Sequence, residues 1–284
     1  TGAVMDEGEC VWGRFLGGRA TQNATSNSTG YKDETSGIQA GGQKALGDGW
    51  FLGGSLTYED SWLRNDAGTE KVQSKAFTAA GALKKEIGPW LFALVGGAGY
   101  TWSDSSRYMT LGPLSAVAEA EPKTVTFFGR ARASYEFTFD DRFYMQPRVD
   151  LDVITVHQEG YRESGAGGLN LIVDDATETM FGITPGVEFG RRYDFSDGLP
   201  ARLFAGVGVS FMSDDTWEST ARLAGVTDME QFTTAMPIAD LVGRVSAGVD
   251  LQQVHGMQLK LQYDGAFADG YQSHGGSLRF GYRF

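Results

Sequence analysis

Along most of the chain, apolar and polar residues alternate with a period of two. The segment Ser277-Leu-Arg-Phe-Gly-Tyr-Arg-Phe284 puts Leu278, Phe280, Tyr282 and Phe284 on one face, and Ser277, Arg279, Gly281 and Arg283 on the other. Just upstream, Met257, Leu259, Leu261 and Tyr263 oppose Gln258, Lys260, Gln262 and Asp264. Residues 143–153 set Phe143, Met145, Val149, Leu151 and Val153 against Gln146, Arg148, Asp150 and Asp152, and residues 239–251 repeat the scheme. Successive side chains of a strand point to opposite faces, whereas helical spacing would mix the two sets. This pattern predicts strands at 10–20, 31–46, 49–62, 71–86, 89–104, 122–138, 142–158, 176–193, 200–213, 236–251, 254–267 and 273–284. In the first of them Trp12 and Phe15 have opposite parity, which leaves its facing open.

The connections alternate in length. Gly47-Asp-Gly49, Gly88-Pro89, Asp140-Asp141, Asp197-Gly198 and the 254–256 turn are tight, whereas 105–121, 159–175 and 214–235 are long and polar. Trp12, Trp50 and Trp90 fall beside the short turns, and Trp62, Trp102 and Trp217 beside the long loops, as two aromatic girdles would. A soluble sandwich would use strands nearer five or six residues. Twelve long strands, each about enough to cross a bilayer at a tilt, instead predict an all-β, 12-stranded antiparallel transmembrane β-barrel. Its short turns lie on the periplasmic side with both chain ends, and its long loops are extracellular. The apolar faces then meet lipid, and the charged faces line a wet interior.

Composition narrows the function. Lys and Arg total 24 against 36 Asp and Glu, giving 24 − 36 = −12, which argues against a nucleic-acid partner. Glycine supplies 40 of 284 residues and proline only 7, a balance that fits close strand packing rather than collagen or a Pro-rich linker. A single Cys10 excludes an intrachain disulfide. No apolar run is long enough for a membrane-spanning helix. Nothing divides residues 10–284 into two domains. The start, Thr1-Gly-Ala-Val-Met-Asp-Glu-Gly-Glu9, lacks the basic and apolar regions of a signal peptide, so a mature or excised chain is expected.

Two stretches carry a family resemblance. Gln146-Pro-Arg-Val-Asp-Leu-Asp-Val-Ile-Thr-Val-His-Gln-Glu-Gly-Tyr161, continuing Arg-Glu-Ser-Gly-Ala-Gly-Gly-Leu-Asn-Leu171, is similar to a recurring strand and Glu-Ser-Gly-Ala loop of bacterial autotransporter translocator domains. Ser36 to Leu46 followed by Gly49 to Tyr58 resembles that family's second hairpin. The resemblance implies an outer-membrane translocator of type V secretion, which anchors and exports an N-terminal passenger. It makes residues 1–9 a remnant of the linker helix to that passenger. The aromatic end, with Leu278, Phe280, Tyr282 and Phe284, resembles the signal read by the barrel-assembly machinery, although these residues would also simply face lipid. No Asn-Asn pair occurs, so self-cleavage is not assigned.

A twelve-stranded barrel tilted about 40° has a backbone diameter of roughly 24 Å, which admits one helix or an extended chain but no folded domain. Arg130, Arg132, Arg148, Arg202, Arg244, Lys260 and Arg279 are expected to line the lumen, facing Glu136, Asp150, Asp152, Glu188, Asp240, Asp250 and Asp264, mostly as ion pairs. The rival readings are a stand-alone diffusion channel and a barrel hydrolase. The hydrolase needs a histidine at the outer rim, yet His157 and His274 share parity with lipid-facing residues, and His255 lies at a short turn. No catalytic, cofactor or metal residues are assigned. Gly206-Val-Gly208 sits inside a strand rather than at a phosphate loop, and the sequons at Asn23 and Asn27 are discounted.

Overall fold

The computed structural model describes residues 8–25, 29–139, 142–194, 200–213, 216–226, 231–252 and 256–284. The turns expected at Asp140-Asp141, Asp197-Gly198 and Val254-His255, the sequon asparagine Asn27 and residues 1–7 of the expected linker lie outside these. The strands are β1 (Cys10–Gln22), β2 (Tyr31–Gly47), β3 (Trp50–Asn65), β4 (Glu70–Ile87), β5 (Trp90–Leu111), β6 (Leu114–Ala120), β7 (Lys123–Tyr135), β8 (Phe137–Thr138) and β9 (Phe143–Gln158). They continue with β10 (Tyr161–Arg162), β11 (Leu171–Val173), β12 (Ala176–Asp194), β13 (Pro200–Met212), β14 (Thr216–Leu223), β15 (Phe232–Pro237), β16 (Leu241–Gln252), β17 (Met257–Ala268) and β18 (Tyr271–Arg283).

Twelve of these form a closed antiparallel ring in the order β1-β2-β3-β4-β5-β7-β9-β12-β13-β16-β17-β18. The first and last strands close it without slippage, from Cys10 opposite Arg283 to Gln22 opposite Tyr271. Closure leaves no wall strand with an unpaired edge, the condition for a sheet to stand in hydrocarbon. The predicted facing follows along the wall: Phe15, Leu56, Leu94, Phe127, Leu151, Phe181, Val207 and Leu261 are all more than half exposed on the outside. In β1 the odd residues point out, so Phe15 meets lipid and Trp12 points inward.

Local chemistry sets the hairpins. Between β2 and β3, Gly47, Asp48 and Gly49 all adopt positive φ, at 92°, 49° and 73°, which glycine permits at two of the three positions. The register shifts by one residue there, between Ala45 and Gly47.

Three expectations need correction. The long connections 105–121, 159–175 and 214–235, expected only as polar loops, carry strands of their own among the described residues. β5 runs beyond the wall to Leu111 and turns back as β6, while β10, β11, β14 and β15 form a separate four-stranded sheet at the same rim. Their sequences hid this because the pieces are short and pair across long separations, as Leu171 does with Leu223. The strand expected at 236–251 starts at Leu241, since residues 232–237 belong to that second sheet. Of the six tryptophans, Trp50, Trp62, Trp90 and Trp102 are exposed on the wall. Trp12 points into the lumen and Trp217 sits in β14, so neither joins a girdle.

Candidate functional site: the barrel lumen

Period-two alternation delivers one side chain in two to the interior, so neighbouring strands place their inward residues in direct opposition. Between β7 and β9 this builds a charge ladder. Arg130 opposes Asp152 and Arg132 opposes Asp150, and both pairs are two-pronged: Arg130 donates at 2.6 and 3.2 Å, Arg132 at 2.6 and 2.7 Å. Planar guanidinium against carboxylate is the geometry in which such pairs are strongest. Asp150 is only 3% exposed, so its charge needs that partner.

A second network spans five strands nearer the terminal rim. The Tyr144 hydroxyl donates to Glu188 at 2.6 Å, and Arg202 donates to Tyr144 at 3.1 Å, to Glu188 at 3.4 Å and to Asp250 at 3.5 Å. Gln258 donates twice to Asp250, at 2.8 and 3.0 Å. Arg202 and Lys260 also lie over the ring of Phe204, 4.9 and 4.8 Å from its centre. Further along, Thr184 and Ser210 share a hydrogen bond of 2.7 Å, and Arg244 donates to Ser210.

Four inward aromatics each lie flat across a glycine that is their direct cross-strand partner: Trp12 over Gly41, Phe128 over Gly97, Tyr144 over Gly190 and Phe204 over Gly248. A Cβ at any of these glycines would overlap the ring. The glycine excess thus has a second use beyond strand packing: it turns bulky side chains along the wall and keeps them out of the bore.

Every lumen residue expected from the sequence, apart from Asp240 and Glu136, lines two connected stretches of interior cavity, of about 800 and 330 Å³. Asp240 is a correction: it sits exposed in the bend before β16, where its carbonyl accepts from the Met212 amide. Glu136 falls in the break between β7 and β8, its amide donating to the Pro89 carbonyl. Sequence reasoning missed Arg14, Trp12, Lys84, Tyr144 and Phe204. The parity of Tyr144 with Gln146 and Arg148, and of Phe204 with Arg202, was the available signal, masked by treating every aromatic as lipid-facing. Leu278, Phe280, Tyr282 and Phe284 all point outward along the seam, the last three at least 49% exposed.

His157 and His274 stand apart from this interior. His157 shares a 2.7 Å hydrogen bond with Thr177 on the outer face, and His274 shares one of 2.8 Å with Tyr263. Asp174, across the long connection from His157, accepts from Arg222 and Gln231. His255 lies outside the described residues.

At the rim away from the chain ends, the Glu163-Ser-Gly-Ala stretch acquires a role. Glu163, 8% exposed, receives both prongs of Arg107 from β5, one of them Nε at 2.9 Å, and the Leu171 amide at 2.7 Å. Arg107 also donates to the Leu169 carbonyl, and Glu119 of β6 exchanges backbone hydrogen bonds with Ser164. One carboxylate therefore ties the β5–β6 hairpin to the second sheet. Nearby Tyr161 has its phenol pushed above the ordinary value by burial first and by the Glu163 charge second.

Residues 11–264 match the family described as Autotransporter beta-domain. Outer membrane protein A of Rickettsia rickettsii is 23% identical over 296 residues, covering 97% of this chain but only 12% of that relative. Among solved structures, the translocator domain of autotransporter NalP from Neisseria meningitidis superposes with a TM-score of 0.79 at 16% identity, covering 99% of this chain and 90% of that one. The beta domain of the Bordetella autotransporter BrkA gives 0.68 at 18% identity, covering 98% and 100%. At such identities the two structures speak for the fold.

Proposed function

The chain belongs to the autotransporter beta-domain family, an outer-membrane translocator barrel of bacteria, and from that premise we propose that its lumen is the route by which a preceding passenger polypeptide reaches the cell surface. The observation that carries this reading is where the chain enters β1. Gly8 lines the interior cavity, its carbonyl accepting from the inward Gln43 at 3.1 Å, and Glu9 accepts from the Ala45 amide at 3.3 Å. The first described residue thus faces the bore, where a passenger joined ahead of it would enter. The bore fits an extended chain or one helix, so a passenger crosses unfolded. Outer-membrane lipid surrounds the apolar wall, and the assembly machinery reads the aromatic last strand. No catalytic step is assigned to the barrel.

The test is an epitope fused ahead of Thr1, probed with antibody on intact cells. Surface detection is expected on cells whose barrels are folded by the heat-mobility assay, in which a folded barrel changes its gel mobility on boiling in detergent. An epitope reached only after the outer membrane is permeabilised would reject the route and leave the stand-alone channel.

A further inference from the structure

The whole chain is acidic, at −12, but the charge of its interior runs the other way. The larger stretch of the lumen is lined by eight Lys and Arg against four carboxylates. The smaller one, around Trp12, is lined by six Lys and Arg against Asp250 alone. The carboxylates are already engaged: Asp150 and Asp152 by the arginine ladder, Glu188 and Asp250 by Arg202, and Asp264 by Gln262 at 2.7 Å. Among the described residues, four cations form no direct ion pair with a carboxylate, although Lys260 stands opposite Asp250 across the strands. Arg14 donates to Ser277 at 2.9 Å, Arg244 to Ser210 and Lys260 covers Phe204. The fourth, Arg148, buries its Nε with no hydrogen-bond acceptor among the described residues.

These groups also crowd one another. Arg148 feels the like charges of Arg132 and Arg130 against Asp150 and Glu188, and Lys260 those of Arg202 and Arg279 against Asp250 and Glu188, carboxylates that are themselves bonded to other arginines. Asp33 and Glu59 lie towards the mouth away from the chain ends, outside this zone. A positive excess inside low-dielectric walls focuses its field along the bore and raises the local concentration of counter-ions.

We propose that the middle of the lumen, around Arg14, Arg148, Arg244 and Lys260, is an anion-binding zone that makes the open barrel select small anions and carboxylates over cations. Arg148 and Lys260 offer donors without a competing carboxylate bond, and an entering anion relieves their mutual repulsion. This rests on wall charge alone and stands whether or not a passenger uses the route.

Two readouts test it. In planar bilayers with a KCl gradient, the reversal potential is expected to give a chloride-to-potassium permeability ratio of roughly threefold or more, since potentials of order kT suffice. Independently of conduction, Trp12 sits inside the zone, its ring 4.8 Å from the Arg279 guanidinium. The fluorescence lost in Trp12→Phe is therefore expected to be quenched by iodide and spared by caesium. Replacing Arg148→Gln and Arg244→Gln together should lower both ratios, and the heat-mobility assay checks that this variant folds. If no pore conducts, the quenching decides. Equal quenching by the two ions, or a reversal potential at zero or of cationic sign, overturns the proposal.

Discussion

The ring of Phe204 lies across Gly248, its direct partner on the neighbouring strand, with a cation from Arg202 and another from Lys260 over it. A methyl group at position 248 would overlap both this ring and the Leu261 carbonyl of the next strand. Gly248→Ala is therefore expected to destabilise the barrel by about 1–3 kcal/mol, the usual cost of overpacking. The midpoint of the heat-induced shift in gel mobility should fall. Adding Phe204→Ala should restore part of it, because the pair shares one clash. Independent, additive losses would show that the ring does not sit on the glycine.

Arg202 serves Tyr144, Glu188 and Asp250 at once. Arg202→Met strands two carboxylates that are 6% and 4% exposed. A loss on the order of 3 kcal/mol is expected, the lower end for a broken buried pair. Glu188→Gln in the same chain should recover some of it by removing one uncompensated charge. A single variant as stable as the parent in the mobility assay would contradict the network.

Loosening should stay local when the outer tie is cut. Arg107→Ala leaves Glu163 with the Leu171 amide but no cation. Limited proteolysis of intact cells is expected to nick residues 105–121 and 159–175 faster, with the barrel's mobility midpoint unchanged. A lowered midpoint would show the tie to be part of the wall's stability instead.

The same region carries a pH dependence. The Tyr161 phenol is raised above its ordinary value near 10 by burial. A raised value means the folded platform resists ionisation, so this contribution is intact below pH 10 and lost as pH climbs through the folded value. Proteolysis of the platform should accelerate above pH 10, less so in Tyr161→Phe. Identical alkaline profiles for the two proteins would remove Tyr161 from the account.

Phe284 closes the outward row of β18, with its amide 3.4 Å from the Glu9 carbonyl. Deleting it is expected to reduce outer-membrane accumulation, measured by fractionation, by more than it lowers the mobility midpoint of the protein that does assemble. Matching losses in both would leave only a packing role on the lipid face.

The wall was readable because one physical constraint, lipid outside and water inside, acts on every residue of every long strand. Leu151 and Asp152 differ in facing for that reason alone. The constraint lapses beyond the membrane. β10, at two residues, is too short to show a period, and its partner β11 binds β14 some fifty positions away, so no local pattern announces the second sheet. In the lumen the charged residues were legible by parity, whereas Tyr144 and Phe204 were not, because an aromatic suits either face until its cross-strand neighbour is known. Asp240 was misplaced by carrying the wall's alternation past the strand's actual start.

The seam between β1 and β18 has a topological consequence. Its partners are the two most distant strands of the sequence, so the ring is complete only once the last strand has arrived. Because Gly8 faces the same interior, the pairing that forms between the two most distant strands also seals the space that the start of the wall looks into, as a clasp completes a bracelet.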